Sequence, residues 1–459
     1  MFTVFKRTIL TLSIITLSAC SSFTKFQPIE TISQVDTQSG YRLMNNISHV
    51  DDDLQLVLTL SGGGTRAAAF GYGVLEEFSK VQLKNNKNVL ESIDLVFGVS
   101  GGSVLASYFS LNGKETVPSF EKKFLLRNFQ RDMILQVISL ANLPKLTADE
   151  YGRGDLLQEQ FENYLFGKKT FAVLDKQRKG PFAVISATDM NSGKRFDFIQ
   201  ETFDAMCLNL NDLEIARAVA SSSAVPIVFS PLTLNNHGGH CHYQAPAYLT
   251  VQDPHFAKQQ KTLQAIAEDN RQYEDSKKRP FIHLVDGGLT DNLGLRGMLE
   301  LAPFRKKNTE SSQFLPEKVR HIVIINVNAQ NRLQSDIDKS ASVPSISQVI
   351  NAVINVPIDN NSALSIQQFR NLAKEWNNNK IRNQHGDIIT LHFVSLNLYD
   401  LPDSDFKTEV LNIPTSFHLP KKDIDNLKKA AHLLLKQSKE YQAFLDQFQQ
   451  TEALRLKQE

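Results

Sequence analysis

Apolar residues in this chain gather in short unbroken runs separated by glycine-rich turns. Leu54-Gln-Leu-Val-Leu-Thr-Leu60, Ile93-Asp-Leu-Val-Phe97, Phe182-Ala-Val-Ile-Ser186, Ile282-His-Leu-Val285 and Ile322-Val-Ile-Ile-Asn326 each have the length and continuity of a strand buried on both faces. The first two lead through turns into helical patterns, Ala67–Phe78 and Ser103–Phe109. Strands of this kind alternating with helices predict an α/β fold, a three-layer sandwich with a mainly parallel central sheet between helices.

The same pattern divides the chain. Residues 1–19 read as an export signal, 20–50 as a polar tether and 51–330 as the main body. Insertions fall near 114–166 and 235–279, and 331–459 reads as a C-terminal extension packed on the body. Within the first insertion, Phe120–Phe166 is helical and rich in large apolar residues such as Phe124, Phe129, Ile134 and Ile138. A packed helical segment is the expectation there, with a membrane-facing flap as the alternative. The second begins as a Gly/His loop and becomes a charged helix, expected to be a solvated surface excursion. The extension contributes a strand-like run, Ile388–Val394, and a last helix with Ile424, Leu427, Ala431, Leu434 and Leu435 on one face. The sequence shows no internal repeat.

Composition changes this picture little. The chain has 459 residues, 41% hydrophobic and 22% charged, with a formal net charge of +1, which offers no field for a nucleic-acid partner. The N-terminus is more informative. Lys6 and Arg7 precede an apolar run from Thr8 to Leu17 that ends at Leu17-Ser18-Ala19-Cys20. This arrangement resembles the bacterial lipoprotein cleavage box, which implies that Cys20 is the lipid-modified first residue of the mature protein, with the membrane as a partner. An ordinary secretory signal is the alternative. Ser21 after the cysteine favours the outer membrane of a bacterial cell envelope. No other stretch is long and apolar enough to span a bilayer. After export Cys207 and Cys241 would meet an oxidising compartment, where a disulfide between them is expected.

Three segments carry chemistry. Gly98-Val99-Ser100-Gly101-Gly102 fits the G-x-S-x-G elbow, in which glycines let a strand turn sharply into a helix and leave the serine hydroxyl exposed. Gly62-Gly63-Gly64-Thr65-Arg66 follows a strand, and consecutive glycines allow several backbone N–H groups to converge on an anionic oxygen, as acyl transfer requires. A nucleotide phosphate loop is disfavoured because Lys-Ser/Thr is missing at its place. Asp286-Gly287-Gly288 closes a third strand with a carboxylate placed to accept a proton, and Asp291 is a candidate helix cap. His237, His240, Cys241 and His242 are ligand types in close sequence, but their gaps fit no standard zinc spacing, so no metal is expected.

Taken together, the glycine loop, the elbow and Asp286-Gly287-Gly288 resemble the patatin-like phospholipase family in order and strand context. Ala187-Thr188-Asp189 and Ala220-Ser221-Ser222-Ser223-Ala224-Val225-Pro226 also look like family segments, and the resemblance covers roughly Leu54 to Asn292. It implies a Ser100–Asp286 dyad that needs no histidine, metal or cofactor. It also implies an oxyanion hole from the N–H groups of Gly63, Gly64 and Thr65 with Arg66 close by, and phospholipids or other acyl esters as substrates. Two alternatives stand beside it: a Ser–Asp–His hydrolase drawing on His321, His385, His392, His418 or His432, and an inactive outer-membrane binding lipoprotein.

Overall fold

In the computed structural model, residues 28–449 are described apart from 49, 51, 140–141, 147, 149, 247–256, 302–316, 331–335 and 384. Residues 1–19, expected to be an export signal, and Cys20 lie outside the described residues. The fold is α/β, built on one eight-stranded mixed sheet. Its strands are β1 (Leu54–Leu60), β2 (Ile93–Val99), β3 (Phe182–Asp189), β4 (Lys194–Asp197), β5 (Leu232–Asn235), β6 (Phe281–Val285), β7 (His321–Asn328) and β8 (Thr390–Asn397). The spatial order is β5-β6-β3-β2-β1-β7-β8, with β4 on β3. The stretch β3-β2-β1-β7-β8 is parallel, whereas β4 and β6 pair antiparallel with β3, and β5 antiparallel with β6.

The helices that matter below are α1 (Gly64–Phe78), α2 (Gly101–Asn112), α3 (Phe129–Ile138), α4 (Arg153–Phe161), α5 (Ile215–Ser222), α6 (Ala257–Arg271), α7 (Arg296–Leu301), α8 (Ile346–Asn378) and α9 (Lys421–Gln437). One face of the sheet carries α1 and α2, and α9 lies over α1. Gly73 permits that approach, since a Cβ there would sit 2.8 Å from the Lys428 Cα. On the other face, Val57, Phe97 and Ile324 meet Met298 of α7 with Phe369 and Trp376 of α8 around a small cavity. Of the parallel strands, β1, β2, β3 and β7 are almost wholly buried, which is why they read as continuous apolar runs, whereas β8 at the edge is only partly buried.

Three sequence boundaries change. The tether reading of 20–50 fails from Ile29 onward. Ile29, Tyr41, Leu43 and Ile47 are buried, and Arg42 forms a buried pair with Asp204 at 2.7 Å. Four apolar anchors spread through a polar segment give no periodic signal, so the packing was invisible. The 235–279 excursion is tied in at both ends: Cys241 bonds to Cys207, and Arg279 donates to the buried Asp189 at 2.6 Å. The extension after 331 is part of the sheet itself, because β8 pairs with β7 along its whole length.

Candidate active site

The three chemical segments meet at the carboxyl edge of the parallel strands. Leu60 lies opposite Gly98, and Val99 opposite Ser186, so the glycine loop after β1 and the elbow after β2 leave the sheet side by side. β6 runs the other way, pairing Val285 with Thr188, and thereby delivers Asp286 to the same place. A sheet edge where strands end and helices begin is the usual site of chemistry in α/β folds.

Ser100 holds φ 50° and ψ −123°, a region that costs a non-glycine residue about 1–3 kcal/mol and is kept only where the surroundings enforce it. Those surroundings can be named. The Ser100 amide donates to Ser222 Oγ at 2.8 Å, and Ser222 Oγ donates to the Ser186 carbonyl at 2.7 Å. The Ser100 carbonyl accepts from both the amide and the hydroxyl of Ser103. Thus fixed, Ser100 Oγ donates to Asp286 Oδ2 at 2.7 Å.

Asp286 is held as firmly. Its amide donates to the Ala224 carbonyl and its carbonyl accepts from Thr188 Oγ1. Its second carboxylate oxygen accepts from the Gly288 amide at 2.8 Å. Burial pushes its pKa up to about 6, opposed only in part by the Ser100 hydroxyl and the Gly288 N–H. A carboxylate near 6 is a far better base at neutral pH than an exposed aspartate.

The glycine loop supplies fewer donors than its sequence promises. The Gly62 amide donates to the Asn292 carbonyl at 2.9 Å, and the Thr65 amide to the Ser416 carbonyl at 2.8 Å. Thr65 is therefore not an oxyanion donor, and neither is Gly62. Gly63 (φ 133°) and Gly64 (φ 59°) take conformations only glycine adopts easily, and their N–H groups have no partner among the described residues. These two amides, at the start of α1, are the ones left to meet a developing anion.

Arg66 is a strut. Its guanidinium is buried, donating through Nε to the Ala329 carbonyl and through Nη1 to the Ile413 carbonyl, while Nη2 lies beside Gly63. Burial pulls its pKa down to about 10, so it remains charged at neutral pH. Replacing Arg66 with Met removes two hydrogen bonds from a buried guanidinium to backbone carbonyls. The expected cost is about 2–4 kcal/mol, read as a fall in the urea midpoint.

The remaining sequence candidates fall elsewhere. Asp291 accepts from the Leu295 and Arg296 amides and so caps α7. Cys207 and Cys241 are joined by a disulfide. His240 and His242 are exposed, and no cluster of metal-ligating side chains occurs among the described residues. His321 bonds Thr390 at the amino edge of the sheet, and His392 bonds the same hydroxyl. His418 approaches the Arg127 carbonyl, His432 pairs with Glu77, and His385 is exposed. Among the described residues no histidine bonds Ser100 or Asp286. Four contributors had no individual sequence signal: Ser222, Thr188, Asn292 and Ser416. The family segments containing Ser222 and Thr188 were the one available hint.

A profile of the Patatin-like phospholipase family matches residues 58–299, more than half of the chain. The chain belongs to the patatin-like phospholipase family. No curated protein is similar to it in sequence. Among solved structures, human GIVD cytosolic phospholipase A2 is 12% identical over 93% of this chain and 68% of that one, with a TM-score of 0.38. VipD from Legionella pneumophila is 11% identical over 91% of this chain and 71% of that one, with a TM-score of 0.29. The patatin-like match holds Ser100, Asp286 and the glycine loop, whereas β7, β8 and the Ile413 and Ser416 carbonyls that brace the loop lie beyond it.

Proposed function

We propose that this patatin-like chain is a membrane-anchored lipid acyl hydrolase working through a Ser100–Asp286 dyad. The 2.7 Å hydrogen bond between Ser100 Oγ and a buried carboxylate raised to about 6 carries the reading. Asp286 takes the hydroxyl proton as Ser100 Oγ attacks the acyl carbonyl carbon. The carbonyl π pair moves onto oxygen, where the Gly63 and Gly64 N–H groups receive it. Collapse expels the alcohol, which leaves with the proton from Asp286, and the acyl group stays esterified to Ser100. Water then gives a proton to Asp286 and attacks the acyl-enzyme, and Ser100 recovers that proton as the fatty acid departs.

The expected substrates are phospholipids or related acyl esters. Incubating the pure protein with a phospholipid bearing two different acyl chains should release one fatty acid and leave the matching lysolipid, identified by mass spectrometry. An unchanged lipid under conditions where the protein is folded would contradict the reading.

The anchor is part of the proposal. Lys6, Arg7 and the apolar run to Leu17 before Cys20 support a lipoprotein of the bacterial envelope, held at the outer membrane. The buried disulfide suits an oxidising compartment. Radiolabelled palmitate fed to expressing cells should enter the protein and be lost from the Cys20→Ala variant.

A further inference from the structure

α8 is far longer than the strand it covers. Its 33 residues span about 50 Å, whereas the 8 residues of β8 span about 25 Å. The C-terminal half is seated: Trp376 Nε1 donates to the Ile389 carbonyl, Asn377 and Leu391 exchange two hydrogen bonds, and Phe369 packs on Phe393. Since the last turn lies at the amino edge, the first half runs past the carboxyl edge, where Ser100 and Asp286 sit. Gln330, just beyond β7, bonds Asp359 and marks the crossing point. On the overhang Ile346, Val349, Val353 and Val356 are exposed, Ile346 by 80% and Val353 by 68%. From Ser340 to Ile358 there is no charged residue.

A second exposed apolar face lies on α3. α3 buries Phe129 and Met133 and turns Ile134, Leu135 and Ile138 outward, the last 68% exposed. The helix is therefore apolar on its exposed face as well as on its buried one, unlike an ordinary surface helix. Phe417 ties α3 to the catalytic loops. Its ring centroid lies 5.8 Å from that of Phe129 and 5.5 Å from that of Phe229, next to Ser416, whose carbonyl holds Thr65. Exposed Ile227 and Val228 complete this side, in the loop that follows Ala224 and its bond to the Asp286 amide. Around α3 the exposed charges are mainly basic: Lys122, Lys123, Arg127 and Arg131. The neighbouring acids are occupied, Glu121 by Lys428 and Asp132 by the Tyr164 hydroxyl.

We propose that the overhanging half of α8 and the outer face of α3 form one docking surface for an anionic lipid bilayer, straddling the entrance to Ser100. The inference rests on the lipid-hydrolase reading. Ser100 itself is only 5% exposed, so an acyl ester must be presented to it from this edge of the sheet. The uncharged stretch of α8 from Ile346 to Ile358 suits the acyl boundary, and the basic collar of α3 suits anionic headgroups.

The test uses the full chain with Cys20→Ala, so that no acyl anchor masks docking. Sedimentation with vesicles of equal phosphatidylglycerol and phosphatidylcholine is compared for this protein and for two further variants. One carries Ile134→Ser, Leu135→Ser and Ile138→Ser, and the other Ile346→Ser, Val349→Ser, Val353→Ser and Val356→Ser. Each should bind vesicles at least tenfold more weakly, while turnover of a water-soluble short-chain ester changes less than twofold. Val353→Trp should shift its emission to the blue on adding these vesicles. Unchanged partition in both variants, or no emission shift, overturns the proposal. So does a parent dimer that either variant dissociates without loss of vesicle binding, because a second copy then covers the face. Absence of ester turnover in the parent would instead remove the hydrolase reading and leave vesicle binding to be judged alone.

Discussion

Asp286→Asn is expected to abolish ester hydrolysis and, at pH 8, to make the folded protein more stable. The amide retains both contacts: its oxygen accepts from Gly288 and its nitrogen donates to Ser100 Oγ, in place of the bonds that the carboxylate makes. It accepts no proton, so kcat should fall by about four orders of magnitude. The stability change follows from linkage. Asp286 ionises near 3.8 when unfolded and near 6 when folded, because burial disfavours the charge. Below pH 3.8 the group is neutral in both states and contributes nothing. Between 3.8 and 6 the unfolded chain loses its proton first, and above 6 the native state carries an ionised buried carboxylate at a cost of about 3 kcal/mol. Replacing it removes that cost at pH 8 and changes little at pH 3.5, which urea melts at the two values would show. In the unmutated enzyme kcat/KM should fall tenfold per unit below about pH 6, since only ionised Asp286 is a base. A flat profile from pH 7 down to pH 4 would assign the proton to another group.

Gly101→Ala should be nearly as damaging through shape alone. A Cβ on Gly101 would lie 1.9 Å from the Gly64 carbonyl oxygen and 2.6 Å from its carbon. Both are backbone atoms, so no rotamer change relieves the clash. The elbow and the glycine loop must separate, and the amides of Gly63 and Gly64 would then no longer point at the carbonyl oxygen of an ester attacked by Ser100. The expected loss is about a thousandfold in kcat, with a stability loss of about 2–3 kcal/mol from overpacking. Gly167→Ala is the control. Gly167 also has positive φ, 60°, but nothing lies within 4 Å of its Cβ position, so it should lose about 1 kcal/mol and keep its activity.

What the sequence revealed of this site follows from how local each feature is. Gly98 to Gly102 and Asp286 to Gly288 are turns whose residue types are dictated within five positions, and both appear where a strand run stops. β4 and β5 were not foreseen: Lys-Arg-Phe-Asp and Leu-Thr-Leu-Asn are four residues each, and their pairing is set by β3 and β6 rather than by their own pattern. The bracing of Ser100 is likewise nonlocal, since Ser222 lies 122 residues away and offers only one more hydroxyl in a run of three serines. The glycine loop shows the limit most clearly. Gly62 to Arg66 is continuous in sequence, yet contacts from Asn292, Ser416, Ala329 and Ile413 decide which amides remain to bind an anion and turn Arg66 into a strut.

The central claim is that Ser100 is the nucleophile and Asp286 its base. Treating the pure protein with an alkyl fluorophosphonate and mapping the adduct by peptide mass spectrometry tests it most directly. The label should fall on the peptide containing Ser100, be absent from Ser100→Ala and form far more slowly in Asp286→Asn. Label on another residue, or undiminished labelling of Ser100→Ala, would contradict the account.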